Sequence, residues 1–134
     1  MKAILYTDGG ARGNPGPAAS ACILFDESMH LLDFEARYAG EITNNQAEYG
    51  ALKLGIDLAL KHGVTELACF LDSELVVKQM RGEYKLKDEK IRVAVSQIQK
   101  AVESLKVVKF EHVARARNHF ADKLVNLVLD ARQA

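Results

Sequence analysis

The chain has 134 residues, 49% of them hydrophobic, and its 18 lysines and arginines balance its 18 aspartates and glutamates. A chain of this length builds a single hydrophobic core, so we expect one domain over residues 1–134. A net charge of zero excludes a long-range positive field that would draw the whole protein to nucleic acid or to an anionic membrane, so any binding of a polyanion must be local.

The first part of the chain predicts three antiparallel strands. An apolar run over 3–7 precedes a glycine-rich turn over 8–17, and a second run over 18–25 leads through a turn at 26–30 to a strand over 31–38. The glycine-rich turn lacks both the Gly-Lys-Ser/Thr ending of a P-loop and the G-x-G-x-x-G spacing of a dinucleotide fold. The sequence therefore disfavours a nucleotide cofactor.

An α-helix is predicted to begin at Thr43. The sequence Thr43-Asn44-Asn45-Gln46 has the form of a capping box, and Gly63 marks the end of the helical pattern. Glu48 lies on the same stripe of this helix as several apolar residues further along it. Because a lone charge on an apolar face is costly, Glu48 must have a partner or bind a metal ion.

The second half of the chain alternates strands and helices. It predicts a strand over 67–71, a short helix over 73–80, an amphipathic helix over 88–104, a strand over 107–113 and a last helix capped by Asn118. This order indicates an α/β fold with no repeat or linker.

Four acids fall at positions that such a fold brings together. Asp8 and Asp72 end apolar strand patterns, and Glu48 and Asp122 lie about one turn into predicted helices. Each acid alone also fits an ordinary role as a turn former or a helix-start residue. Together they form an oxygen-rich site for a divalent cation, because strand ends in an open α/β sheet point into the ligand crevice. This arrangement favours metal-dependent phosphoester chemistry.

Four blocks of the sequence, at 8–18, 43–48, 72–73 and 118–122, resemble in order and spacing those of the type 1 ribonuclease H family. The resemblance spans nearly the whole chain. It implies a ribonuclease H-like α/β fold, with a five-stranded mixed sheet of three antiparallel and then two parallel strands flanked by helices. It also implies hydrolysis of the RNA strand of RNA/DNA hybrids by a two-metal mechanism, leaving 5′-phosphate and 3′-hydroxyl ends.

The resemblance also implies roles for particular residues. The catalytic and metal-binding positions, which would hold two Mg²⁺ ions or Mn²⁺ as a substitute, fall on Asp8, Glu48, Asp72 and Asp122. The positions that contact the minor groove of the hybrid, or a phosphate in the case of the threonine, fall on Asn14, Thr43, Asn44 and Asn45. Side-chain amides of this kind suit the hydroxyls of RNA sugars.

Two alternatives have the same fold. One is a binding module for hybrid or RNA without catalysis, which the retention of four anions beside a phosphate backbone disfavours. The other is a nuclease that acts on DNA junctions or as an exonuclease. Because the chain lacks tryptophan, the tryptophan-bearing basic protrusion of some family members is absent, and the net charge is zero. We therefore expect a weak grip on the DNA strand and tolerance of double-stranded RNA or an RNA–DNA junction.

The sequence also bears on the location of the protein. Cys22 and Cys69 lie in apolar runs, where a cysteine usually acts as a small buried hydrophobe, and no C-x-x-C spacing is present. No stretch approaches the roughly 18 uninterrupted apolar residues of a membrane span. We expect a cytoplasmic monomer without a membrane partner.

Overall fold

The computed structural model describes residues 1–133. Their strands are β1 (Lys2–Ala11), β2 (Gly16–Asp26), β3 (Leu31–Ile42), β4 (Glu66–Leu71) and β5 (Val107–His112). Their helices are α1 (Asn44–Lys61), α2 (Glu74–Met80), α3 (Glu89–Val102) and α4 (His119–Gln133), with a short 3₁₀ helix over Arg115–Asn118 before the last.

The strands form one sheet in the order β3-β2-β1-β4-β5. The β1–β2 and β2–β3 pairs are antiparallel, whereas β1–β4 and β4–β5 are parallel. The turn between β2 and β3 is held by Asp26, whose Oδ1 accepts hydrogen bonds from the backbone N–H groups of Ser28 and His30. This sheet confirms the mixed five-stranded architecture implied by the resemblance.

Helices cover the sheet on both faces because side chains alternate along each strand. Leu5 of β1 and Leu24 of β2 belong to a large core with residues of α1, α2 and α3. Ala19 and Ala21 of β2 face the other way and pack against residues of α4. The two cysteines are buried within the sheet, as their apolar surroundings in the sequence predict.

The first strand is longer than predicted, and the expectation that Asp8 ends it was wrong. β1 continues through Gly9 to Ala11, with Gly9 paired to Ser20 of β2. Glycine is required because a Cβ at position 9 would overlap the backbone of Ala47 in α1. Glycine usually indicates a turn, but at position 9 it allows the backbone of β1 to approach the backbone of α1 closely. Asp8 consequently lies inside the strand, directly beside that contact.

The predicted helix starts are confirmed in three cases. Thr43 and Gln46 form a reciprocal capping box, and the side chains of Ser73 and Asp88 accept hydrogen bonds at the starts of α2 and α3. The prediction that Asn118 caps the last helix was wrong, since the 3₁₀ helix turns its amide towards the sheet, where Nδ2 donates to the Thr7 carbonyl at 2.8 Å.

Within residues 1–133, no helix combines the length and the hydropathy required to cross a lipid bilayer.

Candidate active site

Three of the four predicted acids meet beside the interior strands β1 and β4, near the carboxyl end of β4. The carboxylates of Asp8, Glu48 and Asp72 each offer an oxygen, and these atoms all lie within 4.8 Å of one another. The parallel pairing of Thr7 with Leu71 sets Asp8 beside Asp72, the residue that follows β4. The second turn of α1 supplies Glu48 from above the sheet. The register of two parallel strands and the start of α1 thus bring these three acids together, although Asp8 lies within its strand and not at its end.

The acids are buried more deeply than a surface cluster would be. Asp8 and Glu48 are only 6% and 8% exposed. Glu48 Oε1 accepts a hydrogen bond from the Gly9 N–H at 3.3 Å, whereas the buried Glu48 Oε2 has no partner within residues 1–133. A buried carboxylate oxygen without a donor is costly, and a divalent cation would satisfy it. The all-oxygen donor set suits Mg²⁺ or Mn²⁺.

Asp122 lies apart from this group of three but lines the same crevice. A cavity of about 450 Å³ is lined by residues that include Asp8, Glu48, Asp72 and Asp122, and we call it the acidic crevice. Asp122 accepts a hydrogen bond from Arg115, with 3.4 Å between Nη2 and Oδ1. The structure therefore brings all four predicted acids to one cavity, and the carboxylate of Asp122 is paired with the guanidinium of Arg115.

Arg115 was missed by the sequence analysis. It belongs to the 3₁₀ helix before α4 and lines the acidic crevice. Its side chain is 81% exposed, and the carboxylates of Asp122, Asp72 and Asp8 together raise the pKa of its guanidinium. Among residues 1–133, no histidine lines this cavity. An arginine in an irregular segment gives no periodic signal in the sequence. The only sequence signal for Arg115 was its position seven residues before Asp122.

Burial and mutual repulsion change the titration of the two innermost acids. Desolvation, followed by the charge of Asp72, raises the pKa of Asp8 to about 7. Desolvation, followed by the charge of Asp8, raises the pKa of Glu48 to about 9. Near neutral pH, burial and mutual repulsion therefore disfavour full ionisation of this pair of acids in the metal-free protein.

The raised pKa values predict a pH-dependent stability of the metal-free protein. Both groups bind protons more tightly in the folded chain than in the unfolded chain, so their contribution is full below about pH 4 and is lost as pH rises through about 7 to 9. Mg²⁺ favours the ionised carboxylates and should raise the melting temperature most at the alkaline end, by about 5 °C or more. Thermal unfolding in chelator and in Mg²⁺, from pH 5 to pH 9, measures both effects.

The matched control for this measurement is Glu48→Gln, which keeps the shape of the side chain but cannot ionise. Its metal-free form should lose stability less steeply with rising pH than the parent does. A melting temperature that is the same in chelator and in Mg²⁺ across this range would show that the acids do not share a cation.

The predicted asparagines lie in or beside the crevice, and two of them, Asn14 and Asn44, are joined by a hydrogen bond. Asn14 Oδ1 accepts a hydrogen bond from the Asn44 N–H at 3.0 Å, and Asn44 Oδ1 accepts one from the Ala11 N–H at 2.7 Å. These bonds leave both Nδ2 groups available to donate. Asn44 and Asn45 line the crevice itself, whereas Asn14 is exposed beside it. The side chain of Asn45 makes no hydrogen bond within residues 1–133.

Two polar residues beside the crevice are engaged elsewhere. The hydroxyl of the predicted substrate-binding residue Thr43 accepts from the Gln46 N–H at 3.1 Å in the capping box, and Thr43 is not part of the crevice lining. Glu74, which directly follows the crevice-lining Ser73, pairs with Lys78 at 3.0 Å. The charge of Glu74 is therefore partly neutralised.

The mixed sheet with helices on both faces and the acids at its centre define a ribonuclease H-like α/β domain. The chain belongs to the reverse transcriptase-like family, whose model matches residues 6–128. This assignment confirms the resemblance to ribonuclease H seen in the sequence.

Named relatives agree with this assignment. The bifunctional protein Rv2228c of Mycobacterium tuberculosis is 41% identical over 132 residues, which are 98% of this chain and 36% of that protein. Ribonuclease HI of Halobacterium salinarum is 35% identical over 125 residues, covering 93% of this chain and 63% of the relative. This chain thus spans about a third of the first relative and under two thirds of the second.

Two solved structures of ribonuclease H proteins superimpose closely on this chain. The N-terminal RNase H domain of Rv2228c superimposes with a TM-score of 0.95 at 39% identity, covering 98% of this chain and 95% of that chain. LC11-RNase H1, solved in complex with an RNA/DNA hybrid, gives a TM-score of 0.94 at 38% identity and covers 98% of this chain and 99% of its own.

Proposed function

We propose that this chain is a metal-dependent endoribonuclease that hydrolyses the RNA strand of RNA/DNA hybrids and leaves 5′-phosphate and 3′-hydroxyl ends. The observation that carries the proposal is the close meeting of Asp8, Glu48 and Asp72, with a buried Glu48 oxygen that lacks a donor. The hybrid bound to LC11-RNase H1, a relative of the same fold, supports this choice of substrate.

The four acids would hold two Mg²⁺ ions, or Mn²⁺ in their place. When bound, such a pair supplies the positive charge that stabilises the transition state of phosphodiester hydrolysis. Asp8 would be the central ligand, because it lies in the middle strand of the sheet and its carboxylate meets those of Glu48 and Asp72. Asp122, on the same crevice, would complete the set of ligands.

Arg115 would hold the phosphate of the RNA strand at the mouth of the crevice. A crevice with four acids repels a phosphodiester, and an exposed guanidinium beside Asp122 offsets part of that repulsion. Its planar group can also bind two phosphate oxygens at once. This role is separate from that of the asparagines, which would contact sugar hydroxyls across the minor groove.

A substitution at position 115 tests this role. Arg115→Ala should lower kcat/KM for the hybrid about tenfold or more, because a charge-assisted hydrogen bond contributes about 1.5–3 kcal/mol. Arg115→Lys should recover part of the loss. The control is Arg117→Ala in the same 3₁₀ helix, since Arg117 does not line the crevice. Equal losses in Arg115→Ala and Arg117→Ala would point to a general loss of positive charge and contradict a specific contact.

The proposed activity is tested by incubating the protein with end-labelled substrates in Mg²⁺, in Mn²⁺ and in chelator. The set comprises an RNA/DNA hybrid, double-stranded RNA, an RNA–DNA junction, double-stranded DNA and single strands. We expect cleavage inside the RNA strand of the hybrid that requires metal, with lower rates on double-stranded RNA and on the junction. Binding of hybrid without turnover would indicate the non-catalytic module, and a preference for double-stranded DNA would indicate the DNA nuclease.

A further inference from the structure

The outer side of α4 carries an apolar stripe that the proposed activity does not use. The stripe consists of Phe120, Leu124, Leu127 and Ala131, and we call it the α4 ridge. Phe120 and Leu127 are 62% and 63% exposed, which is unusual for large apolar side chains. The spacing of four, three and four residues is that of the seam through which two helices pack side by side.

The ridge borders an apolar groove of about 510 Å³ between α4 and the β2–β3 hairpin. The opposite wall of the groove includes Leu31 and Phe34 of β3, which are 56% and 55% exposed. A contiguous apolar surface with several large exposed side chains is typical of a protein interface. The groove is also of a size and chemistry that would accept an aromatic side chain.

The charges beside the ridge would be complementary between two antiparallel copies of the chain. Lys123 and Asp130 lie seven residues apart in α4, on either side of Leu127, and both line the groove. In an antiparallel pair of α4 helices with a two-fold axis near Leu127, Lys123 of one copy lies against Asp130 of the other. Lys123 forms no ion pair within residues 1–133, and Asp130 contacts Arg12 through one carboxylate oxygen at 2.6 Å. The zero net charge adds no long-range repulsion between copies.

We propose that the α4 ridge is the interface of a homodimer in which a second copy of this chain covers the ridge and the groove. Two α4 helices pack antiparallel, and the apolar side chains of each copy fill the groove of the other. The sequence analysis led us to expect a monomer, and the exposed ridge is the observation that favours a dimer instead.

The proposed dimer leaves the acidic crevice open. Asp122 lines the crevice, whereas Phe120 and Leu127 line the apolar groove, and Asn126 lies between them and lines both. At about 100° per residue, Asp122 is about 140° or more around α4 from Phe120 and Leu127. The dimer therefore does not depend on the proposed nuclease activity, and its failure would leave that activity untouched.

Sedimentation equilibrium from micromolar to submillimolar concentration tests the proposal. The parent should move towards twice the monomer mass as concentration rises, and Leu127→Glu should weaken association about a hundredfold because it places a charge at the centre of the interface. The matched control is Val93→Glu on α3, since Val93 is also half exposed, at 51%, and lies outside the groove. Val93→Glu should associate as the parent does.

A covalent test uses the two-fold axis. Leu127→Cys should form a disulfide-linked dimer under mild oxidation, and Val93→Cys should not, since the native Cys22 and Cys69 are buried. A parent that remains monomeric throughout the range, or a Leu127→Glu variant that associates as well as the parent, would overturn the proposal. Growth beyond a dimer would overturn the two-fold pairing, and a monomeric parent that instead binds an added amphipathic helical peptide at the ridge would assign the ridge to a different partner.

Discussion

Asp8→Asn is expected to abolish metal-dependent cleavage of the hybrid, with a loss of about a thousandfold or more in kcat. The substitution keeps the shape of the side chain and removes the charge at the centre of the acidic crevice. Because several kcal/mol of transition-state stabilisation by the metal ions depend on this ligand, the effect should exceed that of replacing a residue that contacts only substrate. Steady-state cleavage of a labelled hybrid in saturating Mg²⁺ measures it.

The control for this variant is Asp57→Asn, which removes an exposed carboxylate of α1 that pairs with Lys53 at 2.6 Å. It should cleave at the parental rate. Circular dichroism and thermal unfolding must show that Asp8→Asn is folded, and its metal-free form should be at least as stable as the parent near pH 8 because a buried charge is gone. Strong Mg²⁺-dependent cleavage by folded Asp8→Asn would refute the proposed site.

The second large effect concerns the choice of RNA. Asn45→Ala should lower kcat/KM for the hybrid at limiting substrate by about tenfold to a hundredfold, since it removes hydrogen bonds to substrate. Its side chain supports no other part of the described structure, so the fold should be unaffected. The rise in melting temperature caused by Mg²⁺ should remain close to the parental value, because the amide would contact substrate and no ion.

Two further variants refine this test. Asn14→Asp keeps the oxygen that accepts from the Asn44 N–H but replaces the amide donor by a negative charge, so a loss of hybrid cleavage with unchanged stability would show that the side chain of residue 14 faces the substrate. Gln99→Ala, at an exposed position of α3, is the control for removing a surface amide. Parental cleavage rates in Asn45→Ala, or a parent that prefers double-stranded DNA, would contradict this interpretation of the asparagines.

Much of the fold could be predicted because local signals agree with the tertiary structure. The capping box at Thr43 has the same two hydrogen bonds that its sequence predicts, and Glu48 on an apolar stripe indicated a buried acid. Each signal needs only neighbouring residues on one helix. The order of strands and helices then predicted the grouping of the acids, which lie far apart along the chain, and the resemblance implied the same grouping.

The features that were missed depend on contacts between distant segments. Gly9 indicated a turn because nothing in the local sequence reveals that Ala47 passes beside it. Asn118 has the chemistry of a helix cap, but the preceding 3₁₀ turn directs its amide to the Thr7 carbonyl. Arg115 is only seven residues from Asp122, but it lies in an irregular 3₁₀ segment, so no periodic pattern pairs the two side chains. In each case the local sequence does not identify the partner.

The contact at Gly9 bears on any attempt to transplant this crevice into another scaffold. Grafting the acids alone would fail, because Asp8 and Glu48 reach each other only when strand and helix backbones are closer than side chains normally permit. The minimal portable unit is therefore a strand with glycine directly after the aspartate, crossed by a helix that presents its own backbone at that point. In this sense an atom that is missing, the Cβ of residue 9, determines the dimensions of the site as much as the carboxylates do.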